Sequence, residues 1–332
     1  MRLTESDGNM KRIVYFRADA DSEIGYGHFT RTLALAEVLS NRYDCRFVTK
    51  SPSEFQRSCL KGICQLIELP SGQNRFDVFA NKIEGGEIVV LDNYFYNEDY
   101  ENRLRQKGAS VLLIDNLHTR HSCADAVLGF AMGLKASEYS VEPYTKLFLG
   151  PGYSLLRKPF IEQLSKKHPA VEDYDGLKVV ISFGGSERSG LASQIAQLLI
   201  ESKRVRRITV IGNSLSTRGD KHIIFKNGLS ASEMRDEFVN NDLAILPAST
   251  TIFEALACGI LIIGGYIVDN QVINYSHILE SGGIIGCGDF FNFFNHIQIR
   301  SIIESDTLKG YNPHCIIPST VEQNLISIFE SL

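Results

Sequence analysis

The 332-residue chain has no tryptophan, no Cys-x-x-Cys pair and no apolar run near the ~18–20 residues that span a bilayer. No membrane insertion is expected. The opening MRLTESDGNMKR has no apolar stretch behind its basic residues and does not read as a secretory signal, so a cytoplasmic location is expected. The patterned part begins at Arg12, and residues 1–9 read as an extension with Met10 as an alternative start. Seven cysteines, an odd number in mostly apolar surroundings, suit buried thiols better than a disulfide framework. Basic charge is scarce: 34 Lys and Arg stand against 39 Asp and Glu, a net charge of −5. Nucleic acid is therefore not an expected partner, because the basic footprint for its phosphates is lacking. An anionic ligand has to be held by local geometry.

What is present is a soluble-protein composition, 44% hydrophobic, on a chain long enough for two cores of roughly 150 residues each. Short apolar runs alternate with segments of helical period, the pattern of an α/β protein with parallel sheets. Strands are expected at 12–16, 45–49, 65–69, 87–92, 110–115 and 126–130, with helices starting near His28, Ser53, Asn74 and Asn97. KPFIEQLSKKHPAVEDYDG (158–176) interrupts the pattern and reads as a linker. The alternation restarts with strands at 177–183, 207–212, 222–226, 243–247 and 260–266, and SASE (230–233) forms a capping box before one of the helices. Residues 288–315 carry no clear pattern, and a last helix is expected over 319–331. The expected architecture is two Rossmann-like, doubly wound domains facing across a cleft. The first covers 1–160, the linker 161–176 and the second 177–332. Ligands of such folds bind beyond the carboxyl ends of the strands.

Three strand ends there carry chemistry. In IGYGHFTR, Gly25 and Gly27 flank Tyr26 and run directly into a helix, with His28 and Arg31 three residues apart on its first turn. Free N–H groups and an arginine welcome an anion, and the same field favours an uncharged imidazole, the form that accepts a proton. The plainer reading is a tight turn with a capping histidine. A second glycine turn, ISFGGSERSG (181–190), lacks both the full G-x-G-x-x-G and a P-loop lysine. It reads equally as a phosphate cradle or as an ordinary connection. In ILPASTTIFEALACG (245–259), Ser249, Thr250 and Thr251 open a helix with Glu254 one turn on, suited to phosphate and ribose hydroxyls or to a capping box. Asp269, Asn270 and Gln271 lie at the next strand end. Two metal readings are weak: Asp19-Ala-Asp21 is too short to be specific, and HTRHSCAD (118–125) gathers His118, His121, Cys123 and Asp125 without a partner set. No metal or other cofactor is expected, and the absence of G-x-S-x-G argues against a serine hydrolase of that type.

Beyond these local readings, the residues resemble a known family: the UDP-sugar hydrolases of pseudaminic acid synthesis (PseG), relatives of the MurG glycosyltransferase. The similarity rests first on FRADADSEIGYGHFTRTLALA (16–36). It continues through VLDNY (90–94), VLLIDNL (111–117), LGPGYSLLRKPF (149–160), SFGGS (182–186), and the Thr-Glu helix start with its Asn270-Gln271 pair. The resemblance implies a glycosyltransferase B-type fold with the nucleotide held mainly by the second domain. By position it implies that His28 is the catalytic histidine, with Gly25, Gly27 and Arg31 around it and Tyr94 walling the sugar pocket. Glu254 would bind ribose, and Gly184, Gly185, Ser249 and Thr250 would lie near the diphosphate. Asn270 and Gln271 would lie close by, and Asp19, Tyr26 and Ser186 complete the expected substrate contacts. Three departures bear on the sugar: LPASTT replaces a GAGGST-like stretch, Glu187-Arg188 an Asp-Pro, and Asp115-Asn116 an Asp-Asp.

The expected activity is metal-independent hydrolysis of a UDP-linked 2,4-diacetamido-2,4,6-trideoxy sugar to free sugar and UDP. Two alternatives remain open: a UDP-sugar-dependent glycosyltransferase of the same fold, and an inactive UDP-sugar-binding protein. A sugar-nucleotide 2-epimerase is more distant, since no added acid and base carboxylates are evident.

Overall fold

The computed structural model describes residues 11–332 except 22–23, 168, 170, 172–173, 185–189, 213–221, 310 and 312–313. In the first half the strands are β1 (Ile13–Arg17), β2 (Asp44–Lys50), β3 (Gln65–Leu69), β4 (Ile88–Leu91), β5 (Ser110–Ile114), β6 (Ala126–Gly129) and β7 (Lys146–Leu149). Between them run α1 (Gly27–Leu39), α2 (Glu54–Leu60), α3 (Arg75–Ala80) and α4 (Glu98–Gln106), and α5 (Lys158–Ile161) leads out. The second half has β8 (Leu177–Ser182), β9 (Val205–Ile211), β10 (Ile223–Lys226), β11 (Leu243–Pro247), β12 (Leu261–Tyr266) and β13 (Ile285–Asp289). Its helices are α6 (Leu191–Leu199), α7 (Ala231–Asn240), α8 (Thr250–Cys258), α9 (Val272–Glu280), α10 (Phe293–Glu304) and α11 (Val321–Glu330).

Every strand pairing is parallel, in the orders β3-β2-β1-β4-β5-β6-β7 and β10-β9-β8-β11-β12-β13. Parallel sheets are covered on both faces, which is why the central strands are nearly unbroken aliphatic runs. In β1, Val14 and Phe16 join one core and Tyr15 the other. In β8, Val179 and Ile181 face one side and Val180 the opposite. The two strands absent from the sequence expectation, β7 and β13, are sheet edges. An edge strand needs no long apolar run, and β13 reads IGCGD. The capping box at 230–233 forms: Ser230 Oγ accepts from Glu233 N at 3.3 Å, and Glu233 Oε2 accepts from Ser230 N at 2.8 Å.

One apolar cluster runs through both halves, with Phe130 against Phe253 (5.6 Å between rings) and Phe160 near Phe238 (6.2 Å). The last helix, α11, crosses back from the second half and packs on α1. There Phe329 meets Tyr43, Asn324 Nδ2 donates to the Gly152 carbonyl at 2.9 Å, and Ser110 Oγ donates to the Leu332 carbonyl at 3.2 Å.

Strand order reverses between β1 and β4 in the first sheet and between β8 and β11 in the second. At these switch points neighbouring loops part in opposite directions and leave a crevice at the strands' carboxyl ends. The functional residues should lie there. Because α11 ties the halves through apolar contact, Phe329→Ala, at a side chain 1% exposed, should cost about 3–5 kcal/mol. A urea titration followed by circular dichroism would detect that loss.

Candidate active site

The first crevice is organised by a carboxylate. Asp92, just past β4, is fully buried, and both its oxygens are taken. His28 Nδ1 lies 2.7 Å from Oδ1 and Arg31 Nε donates to Oδ2 at 2.7 Å, with Arg31 Nη2 also donating to Oδ1. Thr32 Oγ1 donates to Oδ2 at 2.7 Å. The spacing of His28, Arg31 and Thr32 on the first turns of α1 brings all three over one point. Burial alone would raise the Asp92 carboxyl, but the charge of Arg31 and the His28 ring outweigh it and hold it far below the usual range.

An ionised carboxylate only accepts hydrogen bonds, so a hydrogen bond between Asp92 and Nδ1 places a proton on Nδ1, and in the uncharged ring the Nε2 lone pair is then open. Among the described residues Nε2 has no hydrogen-bond partner. Arg31 Nη2 also comes within 3.0 Å of Nδ1. With Nδ1 protonated that approach is a close contact, not a hydrogen bond. The ring edge packs on Tyr94, centroids 4.7 Å apart, and Tyr94 is 58% exposed at the crevice mouth. Before the helix, Gly25 takes φ +81°, a left-handed angle open to glycine, and Tyr26 is the N-cap residue. A side chain at Gly27 would meet no atom within 4 Å, so the turn borders open space.

Two of the expected site residues have partners within the protein. Arg31, expected to face a phosphate, is buried and bound to Asp92 while its guanidinium covers the Phe130 ring at 5.5 Å. Burial would lower it and the Asp92 charge overrides this, so it stays a cation within the protein's own ion pair. Asp19, expected among the substrate contacts, is fully buried. Its Oδ2 accepts from Arg17 at 2.8 Å, its Oδ1 from Lys50 N at 2.9 Å, and Asn93 clasps its backbone. Asp19 fixes the loop through these contacts. Its companion Asp21 pairs with Lys50 at 3.0 Å, so the two carboxylates do not converge on a cation. In the histidine-rich loop, His121 contacts Ser140 and Glu142, and Cys123 Sγ faces Glu101. No metal-holding group of three or more such side chains occurs among the described residues.

The second crevice lies at the ends of β8 and β11. Gly184, at φ +88°, is exposed, while Gly185 and Ser186 lie outside the described residues. Ser249 is the N-cap of α8 and its side chain makes no capping hydrogen bond; Ile252 N donates to the Ser249 carbonyl at 3.1 Å, and among the described residues no side chain accepts from the N–H groups of Thr250 and Thr251, which are open to solvent or an anion. The expected alternative, Glu254 capping Thr251, is absent. Asn270 is exposed, and Gln271 Oε1 accepts from Ile267 N at 3.0 Å.

Glu254, which the resemblance places at the ribose hydroxyls, has a partner from the other half: it is buried, and Arg157 from the first half holds it with Nε–Oε1 2.6 Å and Nη2–Oε2 2.8 Å. Burial lowers Arg157, and the Glu254 charge and hydrogen bonds more than offset this. Arg157 lies within the LGPGYSLLRKPF stretch (149–160), but nothing in that stretch names Glu254 as its partner. The crevices are physically joined, since Arg31 covers Phe130, Phe130 packs on Phe253, and Phe253 lies on α8 beside Glu254.

Two stability measurements follow. Removing one partner of a buried ion pair leaves the other uncompensated, so Asp92→Asn should destabilise the fold by about 3–5 kcal/mol at pH 7. Because the folded carboxyl is depressed, its contribution is complete above the unfolded value of about 4 and is lost as pH falls below it. The gap between wild type and variant, read from urea midpoints at several pH values, should therefore narrow only below pH ~4. Glu254→Gln should likewise be costly at neutral pH. Arg157→Met combined with Glu254→Leu should cost less than the sum of the single losses in a double-mutant cycle.

No family model matches the chain. An uncharacterized protein of Methanocaldococcus jannaschii is 28% identical over 265 residues, covering 74% of this chain and 54% of that protein. The chain thus spans about half the length of that relative. The Campylobacter jejuni UDP-2,4-diacetamido-2,4,6-trideoxy-beta-L-altropyranose hydrolase is 27% identical over 60% of this chain and 70% of its own. A Bacillus subtilis spore coat polysaccharide biosynthesis protein, SpsG, is 22% identical over 82% of both. Among solved structures, the Staphylococcus aureus MnaA–UDP complex superposes with a TM-score of 0.65 at 9% identity, covering 97% of this chain and 96% of that one. Acinetobacter baumannii MurG gives 0.56 at 12% identity, covering 97% and 100%. The chain has the glycosyltransferase B-type fold, and in sequence it is similar to a PseG-type hydrolase.

Proposed function

We propose that the protein hydrolyses a UDP-linked 2,4-diacetamido-2,4,6-trideoxy sugar to free sugar and UDP, as a step of nonulosonic acid synthesis. The observation that carries this reading is His28, held through Nδ1 by a buried ionised carboxylate at a switch-point crevice, with Nε2 unengaged. The similarity to a hydrolase named for that substrate supports the choice of sugar and reaction. Residues 1–160 carry the catalytic half, 161–176 the linker and 177–332 most of the nucleotide half.

His28 Nε2 takes a proton from a water lined up on the anomeric carbon, opposite the diphosphate. The new carbon–oxygen bond forms as the anomeric carbon–phosphate oxygen bond breaks, and its electron pair leaves with UDP. Attack from the opposite face inverts the anomeric centre. Asp92 keeps the proton on Nδ1 and faces the imidazolium that forms, so the charge gained by the ring is met at 2.7 Å. Since Arg31 is committed to Asp92, the leaving diphosphate is received by N–H groups at the start of α8 and at the Gly184 turn, with Ser249 and Thr250 hydroxyls beside them. The step as written needs no metal or cofactor.

Proton NMR of the protein with UDP-linked diacetamido-trideoxy sugars, without acceptor, tests the reading. UDP and free sugar of inverted anomeric configuration should appear. His28→Ala should slow turnover about 10²–10⁴-fold and leave UDP affinity intact. Sugar that stays on UDP until an acceptor is added would instead establish a transferase, and binding without any turnover a carrier of the nucleotide sugar.

A further inference from the structure

Helix α10 is apolar on two sides. Ile299 and Ile303 are buried in the core of the second half, and buried His296 meets the Phe290 carbonyl through Nε2 at 2.6 Å. On the outward side Phe293, Phe294 and Ile297 stand in solvent, 62%, 77% and 46% exposed. Phe291, one residue before the N-cap Asn292, is 58% exposed at the same end. Ile297 is the i+4 neighbour of Phe293 and the i+3 neighbour of Phe294, so the helical members form one surface. Apolar residues on both sides are why 288–315 shows no amphipathic period in the sequence.

Nothing local calls for these rings. Phenylalanine is a middling helix former, and the first turn of a helix is better served by Asp or Glu. Segments outside the described residues, such as MRLTESDGNM (1–10) and NSLSTRGDK (213–221), are polar in sequence and poorly suited to cover an aromatic face.

Area and charge identify the occupant. At these exposures the four side chains leave roughly 400–500 Å² of apolar surface. One side of a standard protein interface buries about 800 Å², about 56–65% of it apolar, so this surface equals the apolar share of one such side. From Phe290 to Ile299 there is no Asp, Glu, Lys or Arg. Of the flanking charges, Asp289 Oδ1 accepts from Phe291 N at 2.8 Å, and Arg300 is matched by Glu201 at 2.8 Å and Glu304 at 3.0 Å. An anionic lipid surface or an acidic partner would call for unmatched Lys or Arg, and a basic partner for unmatched carboxylates. An uncharged face meets its own copy without bringing like charges together. The neighbouring edge strand β13 is already occupied, since Gly288 N donates to Tyr275 Oη at 3.1 Å and Asn295 Nδ2 donates to the Asp289 carbonyl at 2.6 Å. Contact therefore falls to the side chains of α10 and not to strand pairing.

We propose that this face of α10 is the interface of a two-fold dimer of the chain, with Phe294 of each copy packed on the aromatic face of the other. The inference is independent of the nucleotide-sugar reading.

Sedimentation equilibrium of the full chain from about 1 to 100 μM tests it, and a species of twice the chain mass should accumulate with concentration. Phe294→Asp brings two carboxylates together across the axis and should raise the dimer dissociation constant at least about 100-fold. An acidic side chain in the first turn suits the helix dipole, so an unchanged urea midpoint should show that the fold is kept. Phe293→Ser combined with Ile297→Ser, which adds no charge, should weaken the dimer as well. A wild-type chain that stays monomeric at about 100 μM would overturn the proposal, and so would a dimer that neither variant weakens. A monomer that floats with phosphatidylcholine vesicles, and ceases to do so in Phe294→Asp, would overturn it too and assign the face to lipid.

Discussion

The buried negative charge of Asp92 is the constraint on which the first crevice depends. A carboxylate with no exposed surface is tolerable only if its lone pairs are filled and its charge is matched. One turn of α1 supplies all of this: an arginine, a hydroxyl and an imidazole N–H converge on the two oxygens. The arrangement fixes the histidine ring with Nδ1 turned toward the buried carboxylate. Stability and candidate chemistry thus share the same four side chains.

A second buried ion pair does comparable work between the halves. Arg157 stands at the end of the first half and Glu254 one turn into α8, so their bidentate contact ties the start of the linker to the helix whose N-terminus opens the second crevice. The aromatic contact of Phe130 with Phe253 runs parallel to it, and the Arg31 guanidinium lies over Phe130. Movement of α8 on binding an anion would be felt at both places. A contiguous chain of contacts therefore runs from α8 to the frame of His28.

Much of this was legible in the residues, for identifiable reasons. Central strands such as IVYF and LAIL are buried on both faces and announce themselves by unbroken apolar character, whereas edge strands β7 and β13 carry no such run. The turn IGYGH was legible because glycine at a left-handed angle and a helix start leave a local imprint. Partners distant in sequence were not. Asp92 is 64 residues from His28 and Arg157 is 97 from Glu254, and no local pattern says which carboxylate a buried arginine will find. The internal ion pairs of Asp19 and Arg31 were equally hidden, since each meets a partner that no local pattern announces.

The central claim is that Asp92 holds the proton on Nδ1 of His28 and so leaves Nε2 as a base. Arg31 Nη2, 3.0 Å from Nδ1, offers the opposite arrangement, in which Nδ1 accepts and Nε2 carries the proton. Long-range ¹H–¹⁵N NMR of the histidine rings, with His28 assigned by its loss in His28→Ala, reads the tautomer directly. A proton on Nδ1 with an unprotonated Nε2 in the uncharged ring, lost in Asp92→Asn, is the predicted result. A ring protonated on Nε2 in the wild-type protein would contradict the account, because that nitrogen could then donate a proton but not remove one from water.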